Sequence, residues 1–369
     1  MTTRRNFLKS AGSLAGLAFC GCGLPWEAHA QAQKTPVIKA PVMVKGKTIK
    51  TIDTHAHCFF QQAIDLSGEK LDAVQPRVRG VSQLFFTVEE RLKEMDDMAI
   101  DMEILSINPY WYRKERDVAE AVTNLQNEKL AELCAQKPDR FAAFASLALQ
   151  YPDLAAQQLE VAVKKLGLKG AAIGGSVLGE DFASARFNPV WQKAEELGAV
   201  LFIHPQTQPQ LAARYKGNGW LSNTIGNPLD TTIALQKLIF EGTLDKFPGL
   251  KVLAAHGGGY LPSYAMRSDH ACTTAPMNCD PNIVLKKKPS EYLNQMYFDA
   301  LVFSAEALRH LVAQVGASQV VLGSDHPFPW EAHPVDHVIG TTVLSEDDRV
   351  AILGGNAARL FGIKATDAG

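Results

Sequence analysis

Five polar residues stand at the ends of short apolar segments. His55 and His57 close the segment TIDTHAH, His204 follows LFI, His256 follows VLAA, and Asp325 follows VVLGS. Imidazole nitrogens and carboxylate oxygens are ligands that a borderline divalent ion such as zinc accepts, with an open position left for water or substrate. Three of these imidazoles and the carboxylate therefore predict a metal site.

The five residues divide into two predicted roles. We keep His256 apart as a general acid or base, because imidazole titrates near neutral pH. Asp325 can bind the metal and can also hold a water or relay a proton. The His-x-His spacing suits ligands since alternate side chains of a strand share a face, which predicts that Asp53, His55 and His57 point one way. Asp53 is expected to support the ligands or the core.

The elements that must position these residues alternate along the chain. Short apolar runs are separated by longer amphipathic stretches. Eight such units favour an α/β fold of the (β/α)8 TIM-barrel type, in which all the strand ends open on one rim. The predicted strands are KTIKTIDTHAH, IDMEILSINP, FAAFASLAL, LKGAAIGGS, AVLFIHPQ, KVLAAHGGG, QMYFDALVF and VVLGSDHPF, and the predicted helices are 88–98, 115–136, 153–166, 189–197, 228–244 and 305–315.

Each polar residue taken alone also fits a structural role. His204 could be a hydrogen-bonded strand end, and Asp325 could cap a helix or stabilise a turn. Five such polar residues at one rim of the barrel favour a functional site. Two long connections, 59–86 and 207–227, are expected to carry substrate contacts. Trp220, beside two glycines, suits either a mobile flap or a plain surface loop.

Composition bounds the classes of partner. The 369 residues carry a net charge of −2, with 46% hydrophobic and 21% charged residues. Basic residues are interspersed with acidic ones except at Lys286 to Lys288, so nucleic acid is not an expected partner. We divide the chain into an N-terminal signal at 1–30, a linker at 31–45 and one catalytic domain at 46–369.

The N-terminus resembles a twin-arginine export signal. Arg4 and Arg5 precede a modest apolar run, and AHA at 28–30 is a small-x-small cleavage site. This predicts cleavage after Ala30 and a periplasmic protein with no membrane contact beyond export. An uncleaved anchor and lipidation are the alternatives. In an oxidising compartment Cys272 and Cys279 are close enough in sequence to pair, which we leave open.

The motifs IDTHAHCF, FIHP, AAHGGGYLP, PSEYLNQMYFD, LGSDHPFP and GGNAARLFG occur in order between Ile49 and Ile363. In this the chain resembles the amidohydrolase superfamily, in the branch of 2-amino-3-carboxymuconate 6-semialdehyde decarboxylase and related nonoxidative decarboxylases. The resemblance implies one metal bound by His55, His57, His204 and Asp325, with His256 handling protons.

The resemblance also implies substrate contacts. Arg79 matches an arginine that binds substrate within its own subunit, and Arg267 matches one that reaches the neighbouring subunit's substrate carboxylate, which implies a homodimer. The alternative for each is a solvated charge. Trp220 and His326 complete the predicted substrate-binding set. Where many decarboxylases have Tyr this chain has His326, and where an aromatic residue is familiar it has Gln206.

Binuclear members of that superfamily carry a bridging lysine at the end of strand four. Here the only lysine of that strand, Lys169, lies at its opposite end, so we expect one divalent metal, zinc or else manganese. The leading hypothesis is a nonoxidative decarboxylase acting on a small aromatic or muconate-type carboxylic acid. The alternative is a hydrolase of an amide, ester or lactone. A noncatalytic binding protein is disfavoured because His256 and Asp325 are both retained.

Overall fold

The computed structural model describes residues 40–74, 78, 88–206 and 209–364, which pack as one compact unit. The predicted signal at 1–30 and most of the predicted linker at 31–45 lie outside these residues. The end of the linker range begins an antiparallel hairpin of β1 (Met43–Val44) and β2 (Lys47–Thr48). This hairpin therefore begins before residue 46, the predicted start of the domain.

The central strands are parallel and form two ladders, in which each strand pairs with the next along the chain. Each of the eight predicted strands contains an observed one. The first ladder consists of β3 (Ile52–His57), β4 (Met102–Ser106) and β5 (Phe141–Ala143). The second consists of β6 (Ala145–Ser146), β7 (Gly170–Ile173), β8 (Val200–Ile203), β9 (Lys251–Ala254), β10 (Met296–Asp299) and β11 (Val320–Val321).

Backbone hydrogen bonds outside the ladders join the remaining strand neighbours. Only Phe144 separates β5 from β6, so one continuous segment belongs to both ladders. At the other edge, Thr54 N donates to Leu322 O at 2.9 Å, and Asp325 N donates to His55 O at 2.8 Å. The chain that follows β11 therefore lies beside β3.

Helices connect the strands, as expected where each parallel strand must return to the same end of the sheet. All the residue ranges predicted as helices are largely helical, and the 305–315 helix has the predicted bounds. Ser304 begins that helix, because its Oγ accepts a hydrogen bond from Ala307 N. No helix of the described residues is long and apolar enough to span a membrane.

The helices are α1 (Gln61–Ser67), α2 (Leu71–Val74), α3 (Val88–Asp97), α4 (Arg116–Gln136), α5 (Pro152–Lys164), α6 (Asn188–Leu197), α7 (Asn227–Phe240), α8 (Thr243–Lys246), α9 (Leu261–Ser268), α10 (Ala271–Thr274), α11 (Ala305–Val315), α12 (Pro334–Gly340), α13 (Glu346–Val350) and α14 (Asn356–Phe361). Parts of the two long predicted connections are helical. The first contains α1 and α2, and the second ends in a π-helical turn, Ser222–Gly226.

An apolar layer lies beneath the strand ends that carry the predicted site. Phe144 stacks on Phe202 with ring centroids 5.3 Å apart, and Phe361 of the last helix meets Phe144 edge to face. Phe202 in turn contacts the His55 ring at 5.1 Å. These rings are fully or largely buried, so they exclude water below the histidines and pack closely against them.

Candidate active site

His55 and His57 leave β3 on the same side because alternate residues of a strand share a face, whereas an irregularity in the strand sets Asp53 apart from them. The pairing register between β3 and β4 shifts between Asp53 and Ala56, so that Asp53 faces Glu103 while His57 faces Ser106. An extra residue in one strand reverses the alternation of faces. The prediction that Asp53 shares a face with both histidines is therefore wrong. Asp53 instead accepts a hydrogen bond from His55 N at 3.0 Å.

One carboxylate oxygen gathers three imidazoles. Asp325 Oδ1 lies 2.8 Å from His57 Nε2, 3.1 Å from His55 Nε2 and 4.0 Å from His204 Nε2. The two Nε2 atoms of His55 and His57 are 3.1 Å apart. Asp325 Oδ2 faces a different ring, that of His256, whose Nε2 is 3.7 Å away. The two oxygens of Asp325 thus separate a group of three rings from the fourth.

Several buried polar atoms at this point lack a hydrogen-bond partner among the described residues. They are both ring nitrogens of His204, Nδ1 of His256 and Oδ1 of Asp325, which makes no hydrogen bond of good geometry although two imidazole nitrogens lie 2.8 and 3.1 Å away. A buried polar group without a partner costs about 1 to 3 kcal/mol, so such a cluster calls for an explanation. A cation among these atoms would satisfy Asp325 and one nitrogen of His204.

The charges of the site follow from burial and from its carboxylates. Burial lowers the pKa of His57 to about 4 and, with the neighbouring imidazoles, holds the pKa of His204 well below its usual range. Burial also opposes charge on His55, yet Asp325 and Asp299 raise its pKa to about 10. The nearby imidazoles hold the pKa of Asp325 well below its usual range despite burial. A cation would displace the proton on His55.

Two side chains fix the rings of the ligand candidates from behind. His55 Nδ1 donates to Asp299 Oδ2 at 2.7 Å. Ser106 Oγ donates its proton to Ala56 O at 3.0 Å and lies 2.9 Å from His57 Nδ1, so it accepts from that nitrogen. With both Nδ1 atoms protonated, both Nε2 atoms can present lone pairs to a cation.

The same carboxylate that orients His55 also holds the turn that presents His256. Asp299 accepts hydrogen bonds from His256 N and from Gly257 N, each at 2.9 Å. His256 has a φ of 55°, a left-handed conformation that is uncommon for a residue with a side chain. The glycines that follow permit a close approach, since a Cβ on Gly259 would lie 2.1 Å from Pro228 O.

The donor set fits one divalent cation. Its atoms are neutral imidazole nitrogens and an ionised carboxylate oxygen, which suit zinc and manganese alike. His55, His204, His256 and Asp325 each offer a ligand atom within 4.8 Å of the others. His57 is closer still to Asp325 Oδ1, whereas His256 approaches only the other oxygen. The distances therefore favour His57 over His256 as a ligand.

The donors open on a cavity of about 320 Å³. Trp220 and Trp330 stack on one side of it with ring centroids 5.7 Å apart, so Trp220 lies where a substrate contact was predicted. Apart from the site itself, the polar side chains of the described lining are uncharged amides, indoles and one hydroxyl, that of Ser222. The lining residues are Val74, Asn108, Pro109, His204, Pro205, Gln206, Trp220, Ser222, Asn223, Asn227, Asp325, Phe328 and Trp330.

His326, a predicted substrate contact, is not among the described residues that line this cavity. His326 forms a parallel bridge with Ala56 and follows the left-handed backbone of Asp325, whose φ is 65°. Its Nδ1 lies 2.7 Å from Glu103 Oε1 and its Nε2 2.9 Å from Glu94 Oε2. Burial opposes the charge of His326, but these carboxylates raise its pKa. The ring braces the strand against α3.

Only one of the two predicted arginines belongs to the described residues. Arg79 lies outside the described residues. Arg267 is exposed on α9 and lines a separate groove beside Cys272 and Cys279, which form a disulfide. Gln206 does border the cavity, where its side-chain amide donates to Pro109 O.

Sequence reasoning missed four residues at the site. Asp299 ends β10 in the quoted segment MYFD, and a carboxylate at that strand end was a usable signal. Asn108 follows β4, lines the cavity and has a buried Oδ1 with no hydrogen-bond partner among the residues that the structure describes. Trp330 and Ser106 carried no signal, because only the tertiary structure brings them beside the site.

Comparison with known proteins gives matches over most of the chain. The family model described as amidohydrolase matches residues 52–363. The 2-amino-3-carboxymuconate-6-semialdehyde decarboxylase of Dictyostelium discoideum is 33% identical over 284 residues, which cover 74% of this chain and 76% of that protein.

Solved structures of decarboxylases are also similar. The crystal structure of 5-carboxyvanillate decarboxylase from Sphingomonas paucimobilis has a TM-score of 0.78 and 26% identity, covering 86% of this chain and 100% of its own. A dihydroxybenzoic acid decarboxylase from a species of Polaromonas, with bound manganese and the inhibitor 2-nitroresorcinol, has a TM-score of 0.72 and 30% identity. That match covers 86% of this chain and 98% of the other.

Proposed function

We propose, since the chain belongs to the amidohydrolase family, that it is a metal-dependent decarboxylase of a small aromatic carboxylic acid and needs no redox cofactor. One observation carries the proposal: Asp325 Oδ1 faces three imidazoles while Asp325 Oδ2 faces His256, at the base of a cavity with aromatic walls. That arrangement provides a metal site and a separate proton donor at one place. The decarboxylases among the relatives support the same reaction.

In the reaction, His256 supplies the proton. Its imidazolium Nε2 gives that proton to the ring carbon that bears the carboxylate. The bond between that carbon and the carboxylate then breaks, its electron pair restores the aromatic ring, and carbon dioxide leaves. Asp299 holds the turn that keeps His256 in place, and Asn108 can accept a hydrogen bond from a ring hydroxyl.

We assign His55, His57, His204 and Asp325 as the ligands of one metal ion. When bound, the ion polarises a substrate oxygen and stabilises negative charge that develops there. The donor set supports zinc, the ion we expect, and the manganese of the Polaromonas relative supports manganese as the alternative. Lys169 directly precedes β7, far from the strand's C-terminal end, which supports a single ion.

Further parts of the proposal concern architecture and assembly. The hydrogen bonds between β3 and the chain after β11 support a closed barrel of eight parallel strands, counting β5 and β6 as one. Exposed Arg267 lies away from the cavity of its own subunit, which supports a homodimer in which it contacts the neighbouring subunit's substrate. We retain Arg79 as a substrate contact within its own subunit.

We also propose export to the periplasm by the twin-arginine route, with removal of residues 1–30. The Cys272–Cys279 disulfide supports this location, because disulfides persist in oxidising compartments and are rare in the cytosol. Determination of the N-terminal residue of the protein recovered from periplasmic extract tests this part. Recovery of intact residue 1 in the cytosol would contradict it.

The reaction is tested by carbon dioxide release from the metal-loaded protein with 2,6-dihydroxybenzoate, 5-carboxyvanillate and a muconate-type acid. His256→Asn should abolish release while metal content stays the same, and His310→Asn on α11 serves as the matched control with normal release. Absence of carbon dioxide from every acid would refute the proposal. Oxygen from labelled water entering a cleaved product would instead indicate the hydrolase alternative.

A further inference from the structure

A second cavity adjoins the one above the metal donors. It has a volume of about 430 Å³, and the two cavities have Asn223, Asn227 and Trp330 in common. His256 borders the second cavity, while its Nε2 lies 3.7 Å from Asp325, which borders the first. A ligand whose reacting carbon lies at His256 can therefore extend from one cavity into the other.

The chemistry of the second cavity differs from that of the first. Beyond the shared residues, the described lining consists of Thr224, Pro228, His256 and Phe303, with no Lys, Arg, Asp or Glu. Phe303 meets Trp330 edge to face, with ring centroids 6.4 Å apart. Such walls favour an apolar group and disfavour a second charge, because no described lining side chain except His256, the proton donor of the proposed reaction, could pair with that charge.

The backbone gives an independent observation. Seven described residues other than glycine have positive φ, and four of them border these cavities: Trp220, His256, Phe303 and Asp325. A left-handed conformation at a bulky side chain costs of order 1 to 3 kcal/mol and persists mainly at functional sites. Phe303, with a φ of 62°, is moreover 54% exposed. Because Phe303 also lines the second cavity, a ligand bound there would cover its exposed ring.

We propose that the second cavity binds an uncharged apolar substituent of the substrate's ring, such as an alkyl group, and that Phe303 and Trp330 select for it. This inference rests on the proposed function, because the metal cavity must hold the ring itself. It narrows the substrate to aromatic acids that carry an apolar substituent in addition to the carboxylate. Phe303 acts on specificity and takes no part in the chemistry.

The test measures binding to the metal-loaded protein by isothermal titration calorimetry. The probes are 2-nitroresorcinol, an inhibitor of the Polaromonas relative, and its 4-ethyl and 5-ethyl derivatives, which sample the ring positions that remain. Burial of two carbons should strengthen binding of at least one ethyl derivative by about tenfold over the parent compound. Phe303→Ala should remove that preference and change the Kd of the parent by less than about twofold.

Leu178→Ala is the matched control, because Leu178 has a similar exposure of 59% and a φ of 56° but lines neither cavity. It should leave the ethyl preference intact, and Phe303→Leu should retain part of it. The inference is overturned if the unmodified protein prefers neither ethyl derivative, or if Phe303→Ala weakens the parent and the ethyl compounds equally.

The two proposals fail in different ways. If no acid yields carbon dioxide but an ethyl derivative binds more tightly through Phe303, the proposed reaction fails and the apolar subsite stands. If carbon dioxide is released from the unsubstituted acids and no preference for an ethyl group exists, the subsite fails alone.

Discussion

Replacement of Asp299 by Asn should weaken both metal binding and folding. The carboxylate is fully buried and accepts four hydrogen bonds, from His55 Nδ1 at 2.7 Å, His256 N and Gly257 N at 2.9 Å, and Leu301 N at 3.1 Å. An amide offers one oxygen with two lone pairs, so at least two of these bonds are lost. Hydrogen bonds to a charged group contribute about 1.5 to 3 kcal/mol each, which gives a loss of about 3 to 6 kcal/mol in unfolding free energy.

The effect on the metal follows from the orientation of His55. Loss of a carboxylate behind a ligating histidine typically weakens metal affinity by about 10- to 100-fold. Zinc affinity, measured by competition with a fluorescent chelator, and urea unfolding of the metal-free protein give the two quantities. Ser106→Ala, which removes the partner of His57 Nδ1 without removing a charge, should weaken the metal about tenfold. If the Asp299→Asn variant does not fold, the zinc affinity of Ser106→Ala still tests whether the partners of the histidine rings support metal binding.

Asp53→Asn is the matched control, because Asp53 is equally buried but contacts the backbone of His55 and not its ring. Burial, with the nearby Glu103, raises the pKa of Asp53 to about 7, so the neutral amide replaces a carboxyl that is already partly protonated. Its metal affinity should change by less than about threefold. The reasoning is refuted if Asp299→Asn binds zinc as tightly as the unmodified protein, or if Asp53→Asn weakens the metal as much.

Two further predictions concern the cysteines. Replacing Cys272 and Cys279 by Ser opens a loop whose ends are seven residues apart, which should lower the unfolding free energy by about 2 to 3 kcal/mol in urea denaturation; an unchanged midpoint would contradict this. Burial raises the pKa of Cys58 to about 12 and that of Cys134 to about 11, so neither is a thiolate near pH 8. Iodoacetamide should modify both only after unfolding, as mapped by peptide mass, and fast labelling of the native protein would refute it.

Much of the candidate site could be predicted because it depends on alternation alone. Eight βα units place His204, His256 and Asp325 at the same ends of parallel strands, and no side-chain detail is needed for that. The His-x-His pair was correctly placed beside them for the same reason. These residues meet in the structure although the exact strand bounds differ from the predicted ones.

The parts that could not be predicted depend on irregular backbone. The register shift in β3 turned Asp53 away from the histidines, and a sequence does not signal such an extra residue. His326 lies between Glu103 of β4 and Glu94 of α3, and only the packed helix brings Glu94 to it. Phe303 became a candidate only through its left-handed φ and its distance from Trp330, both products of the folded chain.

The junction between β3 and the chain after β11 has a consequence for how the protein persists. Thr54 and Leu322, hydrogen-bonded across it, are 268 residues apart in the chain, and the proposed ligands His55 and Asp325 lie on its two sides. An ion bound there would cross-link β3 to the chain after β11. Such a cross-link closes a very long loop, whose conformational entropy the chain regains when it unfolds. At a free metal concentration of about a thousand times Kd, binding of the ion to the folded protein adds about 4 kcal/mol to the unfolding free energy. Metal depletion should therefore shorten the lifetime of the folded protein as well as abolish its activity.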